Sequence, residues 1–304
     1  MSARIVPRIA IINAMLVSTN VDGTGDPAAY AAGTTYGQDT AAVPVMVQDP
    51  VTHLVYRSRV ANNTGNTPAT SPTQWQVVGF TNAWRMFGTR TSVQTARAEV
   101  IDVQLKVGEP IDSLTLLNTD ATLVQVTQTD PVDGVVFDTT YLMVDTEVAD
   151  YDEYFFSPVV TRDRLLVTGL APYASSTIRL QIKKPGGTAA CAACLVGLSQ
   201  YAGQAKWGIE MGIDDFSLKN VSQYGEAALQ PGDYADNLNL TAYVPRARST
   251  AFAALLKRQR AKPLLIVGDD TLPDTALYGW IESWRRTFEY LQEDVYTLSF
   301  KGLT

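Results

Sequence analysis

From Val100 to Val107 apolar and polar side chains nearly alternate, the two-residue period of a strand with one buried face. Similar runs recur at 111–117, 123–129, 135–144, 164–168, 177–182 and 192–198. Turn residues separate them: Gly108-Glu109-Pro110, Asn118-Thr119-Asp120, Asp133-Gly134, Pro172-Tyr173 and Pro185-Gly186-Gly187. Many short strands at this spacing predict an antiparallel sandwich or jelly roll over 96–205. Segments 207–211, 238–244, 264–267, 276–280 and 294–300 read as further strands, interrupted by one helix over 248–260. Phe252, Leu255, Leu256 and Gln259 fall at helical spacing there. Ser249 or Thr250 can cap the start, Lys257, Arg258, Arg260 and Lys262 suit the C-terminal dipole, and Pro263 stops the helix. Strands, a helix, then strands again predict a small barrel or sheet with a helix covering one side over 206–304.

Residues 1–95 differ. They are rich in Thr, Asn, Gly, Pro and Ala, with strand-like pieces only at 43–47, 51–60 and 75–78. Residues 62–72 are turn chemistry throughout. Tyr36, Tyr56, Trp75 and Trp84 surround that loop. The fold class is therefore mainly β, in three stretches: 1–95, 96–205 and 206–304.

Composition narrows the function. With 46% hydrophobic and 18% charged residues, the chain of 304 residues is an ordinary globular one. The net charge of −7 argues against wrapping nucleic acid, which needs clustered cations. The start of the chain has no secretory leader pattern, and the apolar run 9–17, broken by Asn13, is too short to span a membrane. Cys191 and Cys194 form a CxxC, but without an aromatic-flanked redox context they read as small residues of a buried strand. Unpaired cysteines fit folding in a reducing cytoplasm.

Catalytic signatures are scarce. There is no GxSxG, P-loop, strand-borne GxGxxG or HExxH. His53, the one histidine, reads as a surface residue. The carboxylate neighbours Asp152/Glu153, Asp214/Asp215, Asp269/Asp270 and Glu293/Asp294 read as solvated loop charges, since adjacent strand residues point to opposite faces. The chain is thus expected to be no enzyme, with no catalytic residue, no metal and no cofactor. Tyr56, Trp75 and Trp84 have two readings: a stacking platform for a sugar, or the core of a module too small to pack without large rings.

Residues Ala32 to Tyr36, Val55 to Ser58, Asn63 to Pro68 and Ser71 to Trp75 resemble the small carbohydrate-binding-like module of phage tail proteins and chitinases. The following Gly79 to Phe87 looks like a segment shared by one group of phage tail proteins, with Ala83 and Gly88 standing where that group has Arg and Asp. The stretches 114–118, 130–138, 154–158 and 185–189 resemble a galactose-binding-like β-sandwich. Residues 213–219, the helix, Tyr278-Gly279-Trp280 and 298–304 are similar to the split β-barrel of distal tail and tail-tube proteins. The resemblance implies a structural protein of a siphophage-type tail tip or baseplate. It would form a ring, expected to be hexameric, around the DNA channel. It would meet the tail tube, tail hub and fibre proteins, be assembled in the host cytoplasm, and use Tyr56, Trp75 and Trp84 toward a host glycan. The alternative is a receptor- or glycan-binding tail protein.

Overall fold

The computed structural model describes residues 2–38, 44–144, 161–221, 225, 227–269 and 272–303. The architecture is mainly β. Strands β1 (Ser2–Pro7) and β2 (Leu16–Thr19) precede a small module of β3 (Met46–Gln48), β4 (Leu54–Ser58) and β5 (Trp75–Phe80), followed by the single turn α1 (Asn82–Arg85). Then come β6 (Thr95–Leu105), β7 (Ser113–Asp120), β8 (Leu123–Asp130), β9 (Gly134–Leu142), β10 (Leu165–Thr168) and β11 (Thr177–Gly197). The last third holds β12 (Gln200–Ala205), β13 (Glu210–Asp215), β14 (Leu218–Val221), β15 (Ala227–Gln230), β16 (Tyr234–Pro245), α2 (Arg246–Arg258), β17 (Leu264–Val267), β18 (Ala276–Thr287) and β19 (Glu293–Gly302).

The middle sheet folds over on itself through β11, a strand of 21 residues. Its first half pairs with β8 and β6, its second with β7 and β6. Pro185-Gly186-Gly187 reads as a turn in the sequence. Instead it is a bulge, where the register with β6 jumps from Lys184–Glu99 to Thr188–Ala98. One strand therefore serves both layers, and Ile178, Leu180, Cys191 and Val196 meet in one core.

A second sheet runs β12-β1-β17-β18-β19-β16, and β16 returns to β12 through Gln204–Tyr243 and Ala205–Ala242, so the six strands close. Closure needs a close approach at Gly203, whose φ is +105° and where a Cβ would lie 2.5 Å from the Tyr243 carbonyl oxygen. The N-terminal strand thus sits in the same barrel as the C-terminal third. Its Ala3 and Ile5 face the barrel core beside Leu240, Leu298 and Phe300.

Strand β17 reads Leu-Leu-Ile-Val and is buried on both faces. Leu264 and Ile266 fill the barrel, while Leu265 and Val267 pack on Ala193 and Leu195 of β11. Each such side chain contributes roughly 1.5–3 kcal/mol. This shared layer joins barrel to sandwich. The helix begins two residues earlier than the sequence pattern places it, after Pro245. Ser249 does not cap it. It lies one turn inside, buried, with its Oγ 2.8 Å from the Tyr296 hydroxyl. Phe252, Leu255 and Leu256 close the barrel core.

Candidate assembly edges and the aromatic module

Part of the barrel continues past its closure. β13, β16, β19 and the second half of β18 form a four-stranded antiparallel sheet. β17 covers β18 only as far as Gly279. Among the described residues, the far edges of β13 and of β18 from Ile281 to Thr287 pair with no strand. The two edges differ in charge. β13 carries Glu210, with Asp214 and Asp215 paired to Lys301 and Lys219, whereas the unpaired stretch of β18 carries Glu282, Arg285 and Arg286, the last paired to Asp294.

On β13, side chains that point toward the core side of the sheet find nothing there. Met211 is 44% exposed and Ile213 62%. On β18 the half-buried Ile281 and Trp284 border the core. Beyond β13 the chain makes a two-stranded ribbon, β14 with β15, carrying exposed Leu218 and Leu229. Phe216 at its base is also exposed, with the Lys301 ammonium 5.8 Å from its ring centre. A lone two-stranded ribbon is marginal in water, and unpaired apolar edges invite another chain.

The opposite face of the four-stranded sheet is mainly polar, with Tyr243, Trp280 and Val295 among its residues. Asn237, Asn239, Thr241, Thr297 and Ser299 alternate with the buried core residues of β16 and β19. Its charges are the carboxylates of Glu210, Asp214, Glu282 and Glu293 against the cations of Arg285 and Lys301. Asp214 accepts from Lys301 at 2.7 Å, which holds its carboxyl below the ordinary 3.8.

The three aromatic residues singled out in the sequence do not share a surface. Tyr56 and Trp75 are 5% and 3% exposed and belong with Tyr36 and Val47 to a small core. Trp75 meets the Tyr36 ring edge-on at 5.2 Å and donates its Nε1–H to the Asn66 carbonyl at 2.8 Å. Trp84, 8% exposed, packs in the sandwich core instead. None of the three offers an open ring face.

His53 is half-buried, in contrast to its reading as a surface residue. It stacks on Trp84 with ring centres 4.3 Å apart and 5° between planes, and its Nε2 lies 2.6 Å from Asn13 Oδ1. Burial pushes its pKa below the ordinary 6.5, against the pull of Asp49. The histidine ties the small module to the sandwich.

Cys191 and Cys194 are free thiols inside β11. Burial drives Cys191 up to about 11 and Cys194 well above its ordinary value. The thiolates that redox exchange needs are therefore suppressed. The carboxylates divide. Asp214 and Asp215 sit on exposed β13. Asp294, read from sequence as a solvated charge, is fully buried between Arg286 at 2.7 Å and Arg246 at 3.4 Å. Asp269 is buried too. Asp152, Glu153, Asp270 and the 154–158 segment lie outside the described residues. Among the described residues no three His, Cys, Asp or Glu side chains converge as a metal site, and no helix is long and apolar enough to cross a membrane.

No family model matches the chain, and no curated protein matches it. Among solved structures it is similar to a chain from the tail of an empty GTA particle with C6 symmetry. The identity is 13%, the match covers 36% of this chain and 84% of that one, and the TM-score is 0.28. A TM-score of that size does not establish a common fold.

Proposed function

We propose that the chain is a structural subunit of a phage tail, which assembles into a closed ring by pairing β13 of one copy with β18 of the next. The observation that carries this is the four-stranded sheet with two unpaired strand edges at its opposite sides, one with exposed Met211 and Ile213 and the other with Ile281 and Trp284. The β13 edge of one copy meeting the β18 edge of the next is a head-to-tail contact, and such contacts close into rings when the rotation allows. The strand directions agree. β13 runs antiparallel to β16, β16 to β19 and β19 to β18, so β18 beside a neighbour's β13 continues the alternation. Exposed Met211 and Ile213 would then be covered by the neighbour's Ile281 and Trp284.

The polar outer face would line the channel. Its four carboxylates and two cations leave a slight negative excess, and its other side chains are mainly amides and hydroxyls. A polyanion such as DNA passes such a wall without adhering. The ribbon β14–β15 would reach a neighbouring copy, and the small module would face outward toward fibres or host surface. Tail tube and hub proteins would stack on the ring faces. In this reading the protein holds a channel open and catalyses nothing.

Native mass spectrometry and electron microscopy of the purified chain test the reading. They are expected to give one closed ring with a central opening, hexameric if the resemblance holds, which dissociates on Ile213→Glu, a change at a residue 62% exposed in the single chain. A chain that stays monomeric at high concentration counts against it.

A further inference from the structure

We propose that the cleft between the small module and α1 binds an acidic saccharide, a sugar carrying a carboxylate. The cleft has a volume of about 490 Å³, within the range of small-molecule sites. Leu54, Val77 and Phe80 supply an apolar wall, and three charged side chains converge on it: Asp26, Arg85 and Arg90. It is separate from the ring edges, and none of Tyr56, Trp75 and Trp84 lines it.

The donor and acceptor inventory selects the ligand. The Asp26 side chain is 3% exposed, and its two oxygens share the Asn82 backbone N–H at 3.0 Å each. A carboxylate has about four lone-pair sites, so acceptor capacity remains for a hydroxyl. The Arg85 guanidinium lies 3.9 Å from Asp26 and makes only long bonds, 3.4 Å each, to the carbonyls of Phe80 and Gln94. Arg90 spends one nitrogen on the Val78 carbonyl at 2.5 Å and is otherwise exposed. Two guanidinium groups with spare donors suit a carboxylate, ideally bidentate. A buried acceptor beside them suits a hydroxyl. Phe80, in the apolar wall with Leu54 and Val77, suits the C–H face of a pyranose. A hydroxylated acid with one apolar face meets all three.

Gly88 keeps the wall in place. A Cβ there would sit 3.0 Å from the Phe80 ring and 3.0 Å from the Arg85 carbonyl oxygen. At the position where the resembling segment carries Asp, a side chain would make the Phe80 ring or the Arg85 carbonyl give by a few tenths of an ångström.

Saturation-transfer NMR and calorimetry on the full chain, with a galacturonate trimer and a neutral galactose trimer as probes, test the site. Saturable galacturonate binding is expected, with the neutral trimer weaker by about tenfold or more. Arg85→Gln and Arg90→Gln are each expected to weaken galacturonate by about tenfold. Arg90 is exposed, so its variant keeps the fold even where Arg85→Gln disturbs Asp26. Arg258→Gln, on the distant basic helix, is expected to change nothing. The proposal fails if galacturonate does not bind saturably, if both trimers bind alike, if Arg90→Gln binds normally, or if Arg258→Gln weakens binding as much as Arg90→Gln.

Discussion

Replacing Asp294 by Ala tests how the helix is fastened to the barrel. The carboxylate has no exposed surface. It accepts from Arg286 Nη2 at 2.7 Å and Nε at 3.2 Å, and from Arg246 at 3.4 Å. A hydrogen bond between charged groups contributes about 1.5–3 kcal/mol. The forked Arg286 pair counts near the top of that range, since Arg286 is only 22% exposed. The Arg246 contact is long and that residue 48% exposed, so solvent screening leaves it a few tenths. The expected loss is about 3 kcal/mol, or roughly 6 °C in melting temperature for a chain of this size. Urea unfolding at pH 7 reads it directly, and Arg286→Ala in a double-mutant cycle isolates the pair. The pH dependence gives the sign. Hydrogen bonding from Ser249, then Arg286, holds the folded pKa of Asp294 below the ordinary 3.8. Its stabilisation is therefore complete above that value and is lost as pH falls through the folded pKa. The gap between wild type and Asp294→Ala is expected to be constant from pH 7 to pH 5 and to narrow below about pH 4. A variant within about 0.5 kcal/mol of wild type at pH 7, or a gap indifferent to acid, would refute the reasoning.

Three further outcomes follow from packing. With its thiol pushed from an ordinary 9.0 to about 11, Cys191 has a thiolate fraction lowered by about a hundredfold, so an aromatic disulfide reagent at pH 8 is expected to label neither cysteine until the chain unfolds; labelling within minutes contradicts this. Gly279→Ala places a Cβ 1.9 Å from the Lys301 carbonyl oxygen, so β18 and β19 must part; a loss of at least about 3 kcal/mol or of soluble protein is expected, and an unchanged urea midpoint refutes it. Trp75→Ala empties the small module's core at a cost of about 3–5 kcal/mol, read as new proteolytic cleavage in the 62–72 loop, with Trp75→Phe milder.

Much of the fold was legible because core-facing strands alternate or run apolar throughout. The 264–267 segment matches its strand residue for residue, and 123–129 and 294–300 fall one residue short of β8 and three short of β19. β13 was not legible as an edge, because its apolar side, Met211 and Ile213, faces no partner within the chain. β1 was missed because it is six residues long, with Arg4 among its apolar positions and Pro7 at its end. The aromatic residues could not be assigned from sequence, since Trp75 in a core and Trp75 on a platform have the same neighbours along the chain. The buried Asp294 was hidden for a similar reason. Its partners come one from β18, Arg286, and one from the helix, Arg246, and only the barrel brings all three together.

Cysteine pairing tests the ring most directly. Glu210, Asn239, Ser299 and Ser283 lie in one row across the four strands. Residues 210 and 283 of one chain are therefore three strand spacings apart, about 14 Å. A disulfide spans only about 4.4–6.8 Å between Cα atoms, so any bond between these two positions joins two copies. A chain carrying Glu210→Cys with Ser283→Cys, and a second carrying Glu210→Cys with Arg285→Cys to sample the register, are to be oxidised and run on a non-reducing gel. The account predicts, for at least one pair, a ladder that ends at a single closed species. Monomer alone for both pairs, from protein whose single-cysteine variants fold normally, would contradict it.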